Sequence, residues 1–172
     1  MELKNFIVDI PNYPEPGVIF RDITPILNNP VAFKTIVDQL AAYALAQQAT
    51  VIIAPEARGF LFGPAVSYAA NLRFIPVRKA GKLPRQVVSV KYSYEYATNQ
   101  LEMHVEDLQP NDRVLIVDDV LATGGTVQAI CDLVKTQQAT IVGLAFVVDL
   151  TYLNGKKDLA SYPIKTLIEY AA

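Results

Sequence analysis

The sequence predicts an α/β domain built on a mainly parallel sheet, with helices on both faces and a β-hairpin added. Three observations carry this. Short apolar runs at Val51–Ala54, Val114–Val117 and Ile141–Val148 read as strands covered on both faces. Stretches with apolar residues at helical spacing alternate with those runs, as in a sheet whose parallel strands are joined by crossover helices. Finally, residues 88–96 alternate strictly between two faces, which is the pattern of a half-covered antiparallel strand.

Each element has its own signal. The segment Asn12-Tyr-Pro-Glu-Pro-Gly17 is too rich in Pro and Gly for a helix or a central strand, so residues 1–30 read as an ordered loop laid over something, a small N-terminal hood. Asn29 followed by Pro30 is a cap and first-turn pair, and Val31, Ile36, Val37, Leu40, Ala41, Ala44 and Leu45 continue at helical spacing to about Gln48. After the strand at Val51, a second helix is expected from about Phe62 to Asn71, followed by the short strand Phe74–Val77. In the hairpin, Val88, Val90, Tyr92, Tyr94 and Tyr96 share one face. Leu101, Met103 and Val105 alternate with Glu102, His104 and Glu106 on the return, and Ala97–Gln100 is expected to form the turn. His104 reads as an exposed hairpin residue. The helix after Val117 buries Val127, Ile130, Cys131 and Val134, and Ile164–Tyr170 is expected as an edge strand.

Composition narrows the function. With 172 residues, 52% hydrophobic and 19% charged, the chain suits one domain over 1–172 with a sizeable core rather than a disordered or fibrous segment. Fifteen basic against seventeen acidic residues leave a net charge of -2, and no global field argues for nucleic acid or an anionic membrane as a partner. One cysteine and one histidine exclude an internal disulfide, a four-cysteine zinc site and a zinc site built on several histidines. They suit a reducing, cytoplasmic setting. The N-terminal residues show no apolar signal region, so neither export nor membrane insertion is expected.

The chemistry concentrates in Val114-Leu-Ile-Val-Asp-Asp-Val-Leu-Ala-Thr-Gly-Gly-Thr126. A buried strand ends in two carboxylates, Asp118 and Asp119, and a loop of small residues then opens a helix. Gly124 and Gly125 permit close backbone approach to a ligand. Ala122, Thr123 and Thr126 complete a loop whose hydroxyls and free N–H groups, at the positive end of a helix dipole, form a phosphate cradle. The segment lacks the lysine of a triphosphatase loop and the glycine spacing of a dinucleotide fold, so the expected anion is a monophosphate. Carboxylates just before such a cradle can accept hydrogen bonds from sugar hydroxyls and stabilise an oxocarbenium-like transition state. A sugar 5-phosphate satisfies both requirements.

This block resembles the phosphoribosyl-pyrophosphate (PRPP) signature of type I phosphoribosyltransferases. Gly17–Pro25, Pro55–Gly63, Val77–Pro84 and Tyr92–Tyr96 follow in order over nearly the whole length, and resemble the branch of that family acting on adenine. Two positions depart from the pattern: Ala97, where glycine is expected, and Asp149, where glutamate is. The resemblance implies a type I phosphoribosyltransferase-like fold and transfer of the phosphoribosyl group of PRPP to adenine in purine salvage, giving AMP and pyrophosphate. It also implies a homodimer, and Mg2+ carried mainly by PRPP and water rather than by a protein cage. It further implies that Phe20 stacks on the purine while the backbone of Ile19 and Arg21 reads its edge and Val120 closes the other side. The hairpin would cover the site, with Glu95 and Tyr96 at its tip and Glu95 helping to take the purine proton.

Charge distribution points the same way. Residues 57–94 contain no Asp or Glu but seven basic residues, Arg58, Arg73, Arg78, Lys79, Lys82, Arg85 and Lys91. Arg58, beside Gly59 and just past a strand end, is placed for the leaving pyrophosphate, and Lys79 and Lys82 are candidates to assist. Most of the others suit a solvated face equally well. Two alternatives remain: the same fold acting on a 6-oxopurine, and a non-catalytic regulator that senses PRPP or nucleotide.

Overall fold

The computed structural model describes residues 1–94 and 97–171, with the side chains of Tyr94 and Ala97 left aside. Glu95 and Tyr96 therefore lie outside the described residues.

Strands β1 (Val8–Pro11) and β2 (Ile19–Asp22) pair antiparallel as a separate two-stranded sheet, and a short helix, α1 (Thr24–Leu27), follows. The sequence had offered only an ordered loop here. The pairing register, Val8↔Asp22 to Pro11↔Ile19, shows that the dense Pro and Gly punctuation marks the turn between two strands. Helix α2 (Pro30–Ala46) starts as expected: the Asn29 side chain accepts hydrogen bonds from the N–H groups of Val31 and Ala32, satisfying donors that the first turn leaves open. Ile36, Leu40 and Ala44 are buried, but Val31 and Leu45, assigned to the same face, are exposed, because the stripe that meets the sheet is narrower than the apolar pattern.

Strands β3 (Val51–Pro55), β4 (Arg73–Lys79), β7 (Arg113–Leu121), β8 (Thr140–Leu150) and β9 (Ile164–Tyr170), with the hairpin strands β5 (Val87–Tyr94) and β6 (Ala97–His104), form one sheet ordered β5-β6-β4-β3-β7-β8-β9. The run from β4 to β9 is parallel, while β6 runs antiparallel to both β4 and β5. Helices α3 (Gly63–Ala70) and α4 (Gly125–Thr136) complete the layers. Alternation along the strands feeds two cores. Ile52, Leu115, Val117 and Ala145 pack with Ile36, Leu40 and Phe62 under α2 and α3. Ile53, Ile116, Leu144 and Phe146 pack with Ile130 and Val134 under α4. Leu115 is fully buried, so its truncation to alanine is worth about 2–5 kcal/mol.

The hairpin differs from expectation in two ways. Thr98, Asn99 and Gln100 belong to β6 and pair with Ser93, Tyr92 and Lys91, and pairing continues to Tyr94↔Ala97. Backbone hydrogen bonds carry this edge pairing, so polar side chains facing solvent do not end it. His104 is buried rather than exposed, its ring held between Arg85 and Asp107. Glu102 is buried as well, accepting hydrogen bonds from the N–H of Gly81, the Ser89 hydroxyl and the Gln100 amide, which hold its carboxyl below the usual range. Among the described residues, no helix is long and apolar enough to cross a membrane.

Candidate active site

Ligands of open α/β sheets bind at the carboxyl ends of the strands, and here one strand outruns its neighbour. Pairing between β3 and β7 ends at Ile53↔Ile116, whereas β7 continues alongside β8 to Leu121↔Asp149. The strand therefore includes Asp118 and Asp119, with which the sequence had ended it, and runs on through Val120 and Leu121. Carboxylates interrupt the apolar pattern but not the backbone pairing.

A polar cleft of about 340 Å³ opens beside this overhang, lined by Glu56, Ala57 and Arg58 after β3, by Asp118–Leu121, and by Ala122, Thr123, Gly124, Gly125 and Thr126. The Asp119 side chain is buried, and the Nε of Arg58 lies 2.8 Å from its Oδ2. The N–H of Asp119 donates to Oδ1 of Asp118 at 2.8 Å. Burial first, then the neighbouring charge of Asp119, push the Asp118 carboxyl well above the usual range, with Arg58 pulling the other way. The loop then turns into α4 through Gly124, whose φ of +87° is one a side chain resists. That leaves the first N–H groups of α4 without helical partners at the cleft, the arrangement that receives a phosphate.

A second, more apolar cleft of about 580 Å³ shares Arg58, Val120 and Ala122 with the first. It is lined by Gly17–Arg21 of the hood and by Leu150, Tyr152 and Leu153. The Phe20 ring is met edge-on by Tyr13 at 5.3 Å between centroids, and the Arg58 guanidinium carbon lies 5.7 Å from its centre. The buried Arg21 side chain pairs with Asp9 and lies 4.1 Å over the Tyr170 ring, which leaves its backbone as the natural group to present to a ligand. Gly17 to Arg21 thus form one wall of the second cleft.

Of the residues singled out in the sequence, Asp118, Asp119, Arg58, Val120, Ile19, Phe20, Arg21 and the whole loop 122–126 meet around these two clefts. Lys79 and Lys82 do not line either. They stand near Glu56, whose carboxylate accepts the Lys79 N–H at 2.8 Å and pairs with Arg78 at 3.2 Å. Burial raises the Glu56 carboxyl, but the Lys79 N–H, Arg78 and Lys82 together outweigh it and hold the group low. Arg73 and Arg85 are structural instead, pairing with Asp112 at 2.7 Å and Asp107 at 3.0 Å. Glu95 and Tyr96 are outside the described residues. Sequence reasoning passed over Glu56, Leu150, Tyr152 and Leu153. Leu150 closes the long strand β8 and Tyr152 and Leu153 follow its carboxyl end, a position that alone marks them as candidates.

A family model, the phosphoribosyl transferase domain, matches residues 23–168. The chain is 53% identical over 170 residues to the adenine phosphoribosyltransferase of Mycoplasma capricolum, covering 99% of this chain and 100% of that one. Its fold is similar to the adenine phosphoribosyltransferase of Thermoanaerobacter pseudethanolicus, with a TM-score of 0.93, 43% identity and 98% of each chain covered. It is also similar to the Saccharomyces cerevisiae enzyme, complexed with an imino-altritol bisphosphate and adenine, with a TM-score of 0.91, 36% identity and 96% of each chain covered. The family model spans most of the chain and these relatives match nearly its whole length, which places this chain in the phosphoribosyltransferase family, in its adenine phosphoribosyltransferase branch.

Proposed function

We propose that the protein transfers the phosphoribosyl group of PRPP to adenine, giving AMP and pyrophosphate in purine salvage. The observation that carries the reading is the junction of the two clefts at Arg58, Val120 and Ala122, where a sugar anchored on one side meets a base held on the other. The 5-phosphate rests on Ala122–Thr126 at the head of α4. Asp118 and Asp119 accept hydrogen bonds from the ribose hydroxyls and hold negative charge near C1 as it becomes cationic. Arg58 draws on the leaving pyrophosphate from beside Asp119, with Lys79 and Lys82 near the edge of the cleft. The purine lies between Phe20 and Val120, and the backbone of Ile19 and Arg21 meets its edge. As N9 bonds to C1, the C1–oxygen bond to pyrophosphate breaks and the N9 proton leaves. Glu95 is the carboxylate the sequence offers for that proton.

Among the described residues no group of three or more His, Cys, Asp or Glu side chains could hold a metal ion. Mg2+ would arrive with PRPP and neutralise pyrophosphate, and its reluctance to dehydrate suits ligands taken from substrate and water. Two further parts of the reading concern the setting. A homodimer is supported by apolar side chains left in solvent, Tyr68 at 90% exposure above all, and sedimentation velocity tests it. A cytoplasmic location is supported by Cys131, which is free and buried.

The test is a direct assay with adenine and Mg-PRPP. AMP and pyrophosphate should appear in equal amounts, and the absence of both refutes the reading.

A further inference from the structure

The turn after β8 lines the apolar cleft and packs against the phosphate loop, and one buried carboxylate with no place in the chemistry stands at its root. Asp149 is 1% exposed at the end of β8, and the Nζ of Lys156 lies 2.7 Å from its Oδ2. The same Nζ donates to Oε1 of Glu169 on β9 at 3.3 Å, and Glu169 accepts from the Thr166 hydroxyl at 3.1 Å. Lys156 therefore fastens the far end of the turn to two adjacent strands.

Between these anchors lie the contacts that matter for ligands. Tyr152 and Leu153 line the purine cleft. Gly155 is buried against the phosphate loop so tightly that a Cβ on it would stand 2.3 Å from the Ala122 carbonyl oxygen. Reciprocally, a Cβ on Gly124 would stand 2.6 Å from the Gly155 carbonyl oxygen. One short segment thus forms a wall of the base site and the backing of the phosphate site.

We propose that Asp149 and Lys156 are positioning residues that set purine and phosphate binding together, by holding the 151–156 turn against the apolar cleft and behind the phosphate loop. The inference rests on the functional reading above. Neither side chain lines a cleft, so the pair acts through Tyr152, Leu153 and Gly155 and not on the reacting atoms. Burial works against the Lys156 charge, but Asp149 and Glu169 more than offset it and hold the ammonium above its usual range, in keeping with a permanent ion pair. Removing the cation would leave the Asp149 carboxylate buried without its partner, and the turn would give way to let water reach it.

Lys156→Met should raise the KM for adenine and the KM for PRPP together, each roughly tenfold, with kcat within about threefold of wild type. Lys156→Arg should restore both constants. Asp149→Asn, which keeps the shape and removes the charge, should reproduce the loss if Lys156→Met does not fold. AMP affinity by calorimetry gives a readout independent of turnover and should fall in step. A lowered Tm with both KM values unchanged would make the pair merely structural and overturn the proposal, as would a rise confined to one substrate. A wild-type protein that neither turns over adenine nor binds AMP overturns the functional reading instead, and this inference with it.

Discussion

The Nε of Arg58 stands 2.8 Å from the Oδ2 of Asp119, joining the turn after β3 to the end of β7 across the floor of the polar cleft. The pair is asymmetric: Asp119 is 5% exposed and Arg58 is 47% exposed. The arginine is thus held at its Nε while much of its fork faces the cleft, free to meet a pyrophosphate. Arg58→Gln should lower kcat/KM for PRPP by about 10²-fold, the scale seen when one donor to developing charge is lost. The variant also leaves the buried Asp119 carboxylate without its cation, so it should melt lower as well, by about 1–3 kcal/mol. Steady-state kinetics and thermal melts on the one variant separate the two effects.

Asp118→Asn and Asp119→Asn should each depress kcat by about 10²–10³-fold while leaving the fold in place. Turnover at saturating PRPP is the measurement, and circular dichroism confirms the fold. Near wild-type turnover in both variants would move the ribose elsewhere.

Asp118 also predicts a pH signature. Its carboxyl is raised by burial and by Asp119. A group raised in the folded state contributes stability that is fully present below the unfolded carboxylate pKa, about 4, and that contribution is lost as pH rises through the higher folded value. The ligand-free wild type should therefore lose stability across that interval, and Asp118→Asn should not. Melting curves of both proteins from pH 4 to 8 should show the inactive variant matching wild type at the acid end and exceeding it at neutral pH.

Gly124→Ala combines two penalties, a φ of +87° and a Cβ 2.6 Å from the Gly155 carbonyl oxygen. AMP affinity should fall by tenfold or more, roughly 1.4 kcal/mol, as the loop shifts out of register with the first turn of α4. Calorimetric titration with AMP measures it.

Much of this was legible in the residues. The acid pair, the glycines and the helix start lie within one stretch of chain, so the meeting of Asp118 to Thr126 at one cleft could be read without coordinates. The strand order was legible only as a class, because alternating helices and apolar runs specify crossovers but not which strand ends up beside which. His104 was misjudged and the burial of Glu102 went unread because Arg85 and Gly81 reach them from 19 and 21 residues earlier in the chain, and an alternating pattern cannot show that a polar face will be covered. Tyr152 and Leu153 were missed for a similar reason. They reach the purine cleft only because β8 stands next to β7 and ends level with it at Leu121↔Asp149.

Base selection at the junction of the two clefts is the sharpest test of the proposed function. A site that meets the adenine amino group with a buried acceptor leaves that acceptor facing another acceptor when a 6-oxopurine enters, at a cost of about 1–3 kcal/mol or more. The measurement is kcat/KM for adenine, hypoxanthine and guanine with Mg-PRPP under identical conditions. AMP should form, with adenine preferred by at least about tenfold over either oxopurine. Comparable values for the three bases, or nucleotide formed from hypoxanthine or guanine in preference to adenine, would contradict it.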